Sequence, residues 1–417
     1  MFQLRAQLLY LIITTILGER QAARSIIFNE MGNDNILINT NGQKPMQEET
    51  HLNEWGHLQL DGGVANNLTK ELGYFIQVGF GTPAQRHSVF LDTSSLSTYI
   101  LSVDCDSCAA AGDDEKGYNS SASSTHKDNG TSVELDYVYL KSSGRASQDS
   151  MTLGQVEIQD QWYQESMHVQ WQGVSYDDVW IIYGILGLGS PHARGAVKGS
   201  RSALTNAAIQ GVLKTNVFGL KLASPGQLMI GDVNQRLFHG PITWFPLSNI
   251  TTKVILPEAW QTHSDSGGVK FELPSGQYRE WPLDNYTVLF STSFPYIYLD
   301  SYTASSLMDA LGFDFDQFML PPNVPCEERK YMPDVSLTIA GHTFILSPYD
   351  YTVEWKWPGY PMGCVSAFSF FDPEKDNAPN QIILGSAFLR KYYSIYDYNS
   401  KAVGCKSHCS SLTLLDG

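Results

Sequence analysis

Charged residues are scarce in this 417-residue chain, and basic ones are scarcer still. Only 17% of residues carry charge, and 27 Lys and Arg face 43 Asp and Glu, which gives a formal net charge of −16. No basic cluster interrupts this balance, so the sequence argues against binding to nucleic acid or to an anionic membrane surface. Because 42% of residues are hydrophobic, the composition also excludes a disordered chain and predicts a globular protein, long enough for two domains.

Long hydrophobic runs are also missing. The chain begins with Arg5 and an apolar run over Leu8–Leu17, followed by small residues such as Gly18. Ten residues are too few to cross a bilayer, and this layout is typical of a secretory signal peptide. We therefore predict a signal peptide over residues 1–23, no membrane span after its removal, and secretion to the extracellular space, a vacuole or the cell wall. The alternative is a buried strand or an anchor.

Cysteine is limited to six residues. Six cysteines allow fifteen connectivities, and their spacing favours three short-range pairs in an oxidising compartment. These are Cys105 with Cys108, Cys326 with Cys364, and Cys405 with Cys409. A competing interpretation is a zinc site built from the first and last pairs, but they lie about 300 residues apart and secreted thiols oxidise. We expect no metal and no cofactor.

Five Asn-x-Ser/Thr sequons support the secretory route and predict glycans on surface loops. They begin at Asn67, Asn119, Asn129, Asn249 and Asn285.

The composition and residue pattern of the chain change near residue 73. Residues 24–72 are polar and read as a leader or propeptide. From there, short β-rich runs such as Tyr74–Phe80 alternate with turns and predict a mostly β fold. The few helix candidates are Ser202–Leu213 and Thr303–Leu311, and the turn-rich segment Thr262–Gly276 is predicted to be a loop.

Two segments of the chain repeat one pattern. Val89–Ser95 reads VFLDTSS, and Val288–Phe294 reads VLFSTSF. The tripeptide Ile-Leu-Gly recurs as Ile185–Gly187, which begins 93 positions after the Asp of the first segment, and as Ile383–Gly385, which begins 92 positions after the aligned Ser of the second. Matched motifs at matched spacing indicate two duplicated lobes.

Taken in order, these landmarks resemble the pepsin-like aspartic peptidase family over residues 73 to 409. The motifs that carry the resemblance are Gly79–Gln85 at the entry strand, Phe90–Ser95 at the first active-site loop, Tyr137 at the flap, Tyr183–Gly189, and Ile383–Tyr393. The resemblance implies a mostly β, bilobal fold with pseudo-twofold symmetry and a central cleft. We expect an N-terminal lobe over residues 73–235, a C-terminal lobe over residues 236–417, and a monomer.

The family chemistry implied by this resemblance uses two carboxylates that share one water and one proton. Asp92 fills one position, but Ser291 stands in the other and is a degenerate second dyad residue. Serines also replace the glycine after Thr in both loops. The family pattern further implies substrate-binding roles for Thr93, Ser94, Ser95, Tyr99, Tyr137, Thr292 and Ser293. We therefore predict a pseudo-peptidase with lost or strongly reduced endopeptidase activity, whose cleft still binds a peptide, a protein or a small hydrophobic ligand.

Several alternatives stay open at this stage. Asp92 could still serve an active enzyme, either as a residual peptidase or in acid/base chemistry on a small molecule, or it could be purely structural. Asp300 could supply the second acid, although it lies only 83 positions before Ile383. A nucleophilic Ser291 would need a histidine, and no histidine lies near it in sequence. The candidates for that role are His168, His192 and His239.

Overall fold

Strands dominate the chain because its apolar runs are short, β-branched or aromatic, and separated by turns. The computed structural model describes residues 57–60, 74–106, 108, 117–137, 140–171, 184–191, 200–222, 226–238, 240–248, 259–315, 322–356, 362–371 and 380–407. Within these ranges the fold is mostly β and bilobal, as predicted. The predicted signal peptide lies outside the described residues, and the boundaries of the leader and of the two lobes stay predictions.

One sheet of seven strands forms the first lobe. Its strands are β2 (Phe75–Phe80), β3 (Gln85–Asp92), β4 (Tyr99–Leu101), β5 (Lys127–Asp136), β6 (Leu140–Leu153), β7 (Val156–Trp171) and β8 (Gly184–Gly187). The order is β2-β3-β8-β4-β7-β6-β5, and β2 also pairs with β6. The long hairpins β5–β6 and β6–β7 therefore belong to the same sheet whose strand β3 carries Asp92.

A six-stranded sheet joins the two halves of the chain. It contains β1 (His57–Leu60), β9 (Val217–Lys221), β10 (Gly226–Ile230), β11 (Thr243–Pro246), β24 (Tyr392–Asp397) and β25 (Ala402–Ser407). The order is β1-β10-β9-β24-β25-β11, so strands from both ends of the sequence lie side by side in one layer. The strand β1 lies within the predicted leader and pairs with β10 at the edge of this sheet.

Three smaller sheets form the second lobe. Five strands, in the order β12-β15-β23-β16-β22, are β12 (Trp260–Ser264), β15 (Tyr286–Phe290), β16 (Ile297–Asp300), β22 (Phe368–Phe371) and β23 (Gln381–Leu384). Four more are β13 (Gly267–Glu272), β14 (Tyr278–Pro282), β18 (Val335–Ile339) and β19 (His342–Leu346). The remaining three are β17 (Asn323–Pro325), β20 (Thr352–Lys356) and β21 (Met362–Ser366).

The described helices are short. They comprise α1 (Ala203–Ile209), α2 (Ser301–Ala310) and α3 (Ser386–Lys391), with 3-10 turns at Ser120–Ala122, Gln235–Leu237 and Cys326–Tyr331. Both helices predicted from the sequence are confirmed, but α1 ends four residues early. It ends there because the chain turns at Gly211, whose φ is +73°.

The loop predicted over Thr262–Gly276 is wrong. Residues in this segment complete β12 and form β13, which pairs with β14 and β18. The glycines and serines suggested turns, but Val269 and Phe271 alternate into the core and fix the segment as a strand.

The predicted duplication is confirmed by the strand pairing. In the first lobe β3 runs parallel to β8, with Leu91 opposite Leu186. In the second, β15 runs parallel to β23, with Leu289 opposite Ile383. Each Ile-Leu-Gly strand therefore lies beside the strand that leads into its active-site loop.

Two of the three predicted disulfides are confirmed, namely Cys105–Cys108 and Cys326–Cys364. The first bond removes two of the four sulfurs that the zinc alternative needs. The third pair requires a correction, because Cys405 carries a free thiol. This residue lies inside β25 with its side chain fully buried in the core, and its predicted partner Cys409 lies outside the described residues.

The sequons fall in different surroundings. Asn129 and Asn285 are exposed, whereas Asn119 is half-buried and caps a 3-10 turn, where its side-chain oxygen accepts a hydrogen bond from Ser121 N at 3.1 Å. Asn67 and Asn249 lie outside the described residues. Glycosylation stays a prediction. Across the described part of the chain, no helix has the length and apolar character required to span a bilayer.

Candidate active site

The first active-site loop begins where β3 ends, at Asp92. The loop must fold back over β8, and Gly187 makes this possible, since a Cβ there would lie 2.5 Å from the carbonyl oxygens of Leu96 and Ser97. Gly385 has the same function in the second lobe, where a Cβ would meet Tyr296 O at 2.2 Å. The glycine of each Ile-Leu-Gly motif is therefore required by close backbone contact.

The two loops meet through a reciprocal pair of threonines. Thr93 N donates to Thr292 Oγ1 at 3.0 Å, and Thr292 N donates to Thr93 Oγ1 at 3.1 Å. Thr292 Oγ1 in turn donates to Leu91 O at 2.7 Å. Both threonines have no exposed surface. They hold the two loops together, and their substrate-binding role stays a prediction.

Asp92 is almost fully buried, with 3% of its surface exposed, and both carboxylate oxygens accept hydrogen bonds. Oδ1 accepts from Ser94 N at 2.6 Å and from Ser293 Oγ of the opposite lobe. Oδ2 accepts from Ser95 Oγ at 2.7 Å. Burial raises the pKa of Asp92, while the hydrogen bonds from Ser293, Ser95 and Ser94 lower it, and burial is the larger effect.

Ser291 lies at the equivalent position of the second loop, at the end of β15, and is fully buried. Its Oγ accepts a hydrogen bond from Ser293 N at 3.2 Å, just as Asp92 accepts one from Ser94 N. Ser94 Oγ lies 2.5 Å from Ser291 Oγ. The two positions therefore make matching contacts, with a hydroxyl at 291 and a carboxylate at 92, and the replacement of a catalytic aspartate by Ser291 stays a prediction.

Every hydrogen bond to the Asp92 side chain comes from a hydroxyl or a backbone N–H, and none comes from another carboxyl group of the described residues. A lone buried carboxyl can donate or accept a proton and can hold a polar ligand. It cannot share a proton with a second acid, because the hydroxyl of Ser291 neither ionises nor protonates at useful pH.

Tyr137 lies at the tip of the β5–β6 hairpin, where the family resemblance places it. Its hydroxyl donates to Ser97 O at 3.0 Å, and its ring packs 5.5 Å from that of Tyr99. Tyr99 is fully buried in a small core that also holds Leu135. The flap is therefore fastened to the first active-site loop, and Tyr99 braces it from below.

The alternative acid and the alternative base fall elsewhere. Asp300 caps α2, where its Oδ1 accepts from Thr303 N at 2.9 Å, while Oδ2 accepts from Tyr286 OH at 3.1 Å. His168 pairs with Asp106 on an exposed part of β7, at 2.9 Å. His192 and His239 lie outside the described residues. Neither Asp300 nor His168 contributes to the cluster around Asp92.

Sequence reasoning missed one feature of the site. The sequence shows Ser94 and Ser293 only as replacements of the family's glycines, where the missing Cβ normally eases a tight turn. Neither residue has a positive φ, so the backbone accepts a side chain at both. The hydroxyls instead cross the lobe interface to bind Ser291 and Asp92. The sequence did contain one indication of these contacts. Each serine follows the reacting position of its own loop by two residues, so the two serines occupy equivalent positions in the two loops.

Comparison with known proteins agrees with this geometry. The family model described as eukaryotic aspartyl protease matches residues 73–407. Vacuolar protease A of Aspergillus fumigatus is 30% identical over 380 residues, which cover 90% of this chain and 87% of that protein. Vacuolar protease A of Neurospora crassa is 32% identical, over 79% of this chain and 77% of that protein. Cathepsin D of Dictyostelium discoideum is 29% identical, over 79% and 82%.

Proposed function

We propose that this chain, which belongs to the eukaryotic aspartyl protease family, is a member with lost or strongly reduced endopeptidase activity that retains a peptide-binding cleft. The observation that carries the proposal is the pairing of Asp92 with hydroxyl groups instead of a second carboxyl. The scaffold keeps the fold of the family, while one of the two acids is missing. Together these features favour peptide binding without efficient hydrolysis.

The missing second acid affects proton transfer. Peptide hydrolysis in this fold requires one ionised carboxylate to take a proton from water, while a protonated partner polarises the scissile carbonyl. Asp92 can fill one of these roles at a given moment. Ser291 can donate or accept a hydrogen bond, but its hydroxyl neither takes up nor releases a proton at useful pH, so the second role has no holder. The loss of one acid/base partner lowers a rate by about two to four orders of magnitude, and more where residues act as a unit.

The retained parts of the site support binding. The loops are held in register by Thr93 and Thr292, and the flap hairpin is in place with Tyr137 at its tip. An extended peptide is the ligand class that the family suggests. A protein segment or a small hydrophobic molecule would use the same surfaces.

One observation favours the alternative of an active enzyme. Burial raises the pKa of Asp92, and a carboxyl with a raised pKa is better suited to act as a general acid. This would support residual peptidase activity or acid/base chemistry on a small molecule. The relatives named vacuolar protease and cathepsin D agree with this alternative as well as with the main proposal. Their names also support a vacuolar or other secretory-pathway location for this chain.

The test compares the native chain with Asp92→Asn, both secreted from a eukaryotic host and incubated with fluorogenic peptide libraries from pH 3 to 6. We expect the two proteins to cleave at the same background rate, while a pepstatin-type peptide raises the melting temperature of the native chain. Asp300→Asn serves as the matched control, since it also removes a carboxylate but keeps an amide oxygen that caps α2. Efficient cleavage, at a rate comparable to that of an active aspartic peptidase assayed beside it, that disappears in Asp92→Asn and persists in Asp300→Asn would refute the proposal.

A further inference from the structure

Ser94 and Ser293 each place a hydroxyl group against the reacting position of the opposite lobe. Ser94 Oγ lies 2.5 Å from Ser291 Oγ, and Ser293 Oγ donates to Asp92 Oδ1. The two contacts are reciprocal, because each serine follows the reacting residue of its own loop by two positions. Together the four side chains form a closed group, which we call the serine cross (Asp92, Ser94, Ser291 and Ser293).

The serine cross leaves little room for a second carboxyl group. Its members are between 0 and 3% exposed. An aspartate at position 291 would reach one bond further than the serine does, toward a region where Ser94 Oγ is already in hydrogen-bond contact. Protein interiors are close-packed and do not accommodate extra atoms without displacement of neighbours. A carboxylate at position 291 would therefore have to accept a hydrogen bond from Ser94 Oγ, as Asp92 Oδ1 accepts one from Ser293 Oγ, and that oxygen would not be free to share a proton with Asp92.

The hydrogen bonds of Asp92 point to the same conclusion. Oδ1 already accepts from Ser94 N and Ser293 Oγ. A proton or water shared with a second acid would compete with the Ser293 hydroxyl for this oxygen. The serine hydroxyl thus occupies the hydrogen-bonding position through which a two-carboxylate dyad would be coupled.

We infer that Ser94 and Ser293 are positioning residues that hold the site in a one-carboxylate form and block peptide hydrolysis independently of the missing acid at position 291. The inference rests on the proposed function, since it explains why the site is inactive. It implies that a second carboxylate is not sufficient to rebuild the dyad. Because neither serine has a positive φ, glycine at both positions keeps the backbone conformation accessible and removes only the side chains.

The experiment compares the native chain, Ser291→Asp, the double variant S94G/S293G, and the triple variant S94G/S291D/S293G. Initial rates are measured on a fluorogenic peptide from pH 3 to 6. We expect Ser291→Asp to remain within about threefold of the native rate, and the triple variant to exceed it by about a hundredfold or more, the contribution typical of a restored acid/base partner. A bell-shaped pH profile, which reports a coupled pair of acids, should appear in the triple variant alone.

Several outcomes would overturn the inference. One is a Ser291→Asp rate equal to that of the triple variant. Another is a triple variant that melts cooperatively and binds pepstatin but cuts no faster than Ser291→Asp. A third is an increase in cleavage rate in S94G/S293G that equals the increase in the triple variant. Because S94G/S293G has no second carboxylate, such an increase would have another origin.

A second measurement does not depend on the folding of the triple variant. In Ser291→Asp, carboxyl titration followed by NMR should show Asp92 and the new aspartate titrating as separate groups, whereas two coupled steps would refute the inference. The proposed function fails on a different result, namely efficient Asp92-dependent cleavage by the native chain. In that case the ratio of the cleavage rates of the triple variant and Ser291→Asp would still decide the role of the two serines.

Discussion

At the scale of single residues, strand β3 carries two buried titratable groups whose pKa values move in opposite directions. Burial raises the pKa of Asp92 and lowers the pKa of His87 to about 4. The cause is the same, because a poorly solvated environment disfavours the charged form of either group. His87 is 6% exposed, and its Nε2 has no hydrogen-bond partner that would compensate a charge.

His87 should make the stability of the native chain dependent on pH. Since its folded pKa lies below the unfolded value of 6.5, its contribution is complete above pH 6.5 and is lost as the pH falls toward about 4. The full loss, reached near pH 4, is about 3 kcal/mol. In His87→Phe this dependence should disappear, as measured by urea unfolding of both proteins at pH 7, 5.5 and 4.5. Parallel curves for the two proteins would contradict the assignment.

Most of the site residues could be predicted from sequence, but their contacts could not. The repeated loop sequence located Asp92 and Ser291, and the spacing of cysteines located two disulfides. The hydrogen bond from Ser293 to Asp92 joins residues 201 positions apart, and only the packing of the two lobes brings them together. Sequence patterns with a period of two or four residues carry no information about such a contact.

At the scale of elements, the flap is a hairpin held at its tip and its base. Its strands β5 and β6 pair from Asp136 and Lys141 back to Lys127 and Gln148, with a bulge between Asp128 and Ser132. At the tip, Tyr137 N donates to Leu140 O at 2.8 Å, and the Tyr137 hydroxyl reaches Ser97 O. The hydroxyl contact links the mobility of the flap to the active-site loop.

Tyr137→Phe should loosen the flap without unfolding the lobe. The substitution removes one hydrogen bond to a backbone carbonyl, a loss of about 1 kcal/mol, and keeps the ring that packs on Tyr99. We expect faster hydrogen exchange in β5 and in the first residues of β6, measured by mass spectrometry. Tyr278→Phe, in which the exposed tyrosine loses its contact with Glu272, provides the control and should leave the flap unaffected. Equal exchange in the native chain and Tyr137→Phe would show that the hydroxyl does not restrain the flap.

The two disulfides should differ in their contribution to stability. Cys326–Cys364 spans 38 positions, and Cys105–Cys108 spans three. In the chain-entropy model the longer loop contributes about 4 kcal/mol and the shorter about 2 kcal/mol, because the unfolded chain loses more freedom when a longer loop is closed. Denaturant unfolding of C326S/C364S and C105S/C108S checks this order. A larger loss from the short-loop pair would contradict it.

Helices and strands could be predicted where apolar and polar residues recur with a regular period. They were harder to predict where glycines in a strand suggested a turn. Thr303 to Leu311 has the spacing of an amphipathic helix and forms most of α2. Gly267 and Gly268 suggested a turn, yet a Cβ at Gly267 would meet Thr338 O at 2.3 Å, so this glycine serves close strand packing. A glycine required by a neighbouring strand cannot be distinguished from a turn glycine in a single sequence.

At the scale of the whole molecule, three features join the lobes. The six-stranded sheet combines β9 and β10 with β24 and β25. The threonine pair links the two active-site loops. Trp260, at the start of β12, donates from its indole nitrogen to Leu188 O at 2.7 Å, just beyond β8. The lobes therefore share one core and should unfold together.

Thr292→Val should lower the stability of both lobes at once. The hydroxyl accepts from Thr93 N and donates to Leu91 O, so its removal leaves two buried backbone groups without partners and should cost about 2 to 4 kcal/mol. Scanning calorimetry should show a single transition at lower temperature. Thr262→Val is the matched control, since that buried hydroxyl makes one hydrogen bond, to Pro246 O, and its loss should be smaller. Two separated transitions in Thr292→Val would show that the threonines alone couple the lobes.

The free thiol of Cys405 makes the shared sheet accessible to direct kinetic study. The sulfur lies on β25 with no exposed surface, and burial raises its pKa, so it stays in the unreactive thiol form in the folded protein. An alkylating reagent can modify it only when this part of the sheet opens. The rate of its modification can be followed on the peptide that contains Cys405. This rate would report how often the six-stranded sheet opens locally, and the measurement needs no engineered label.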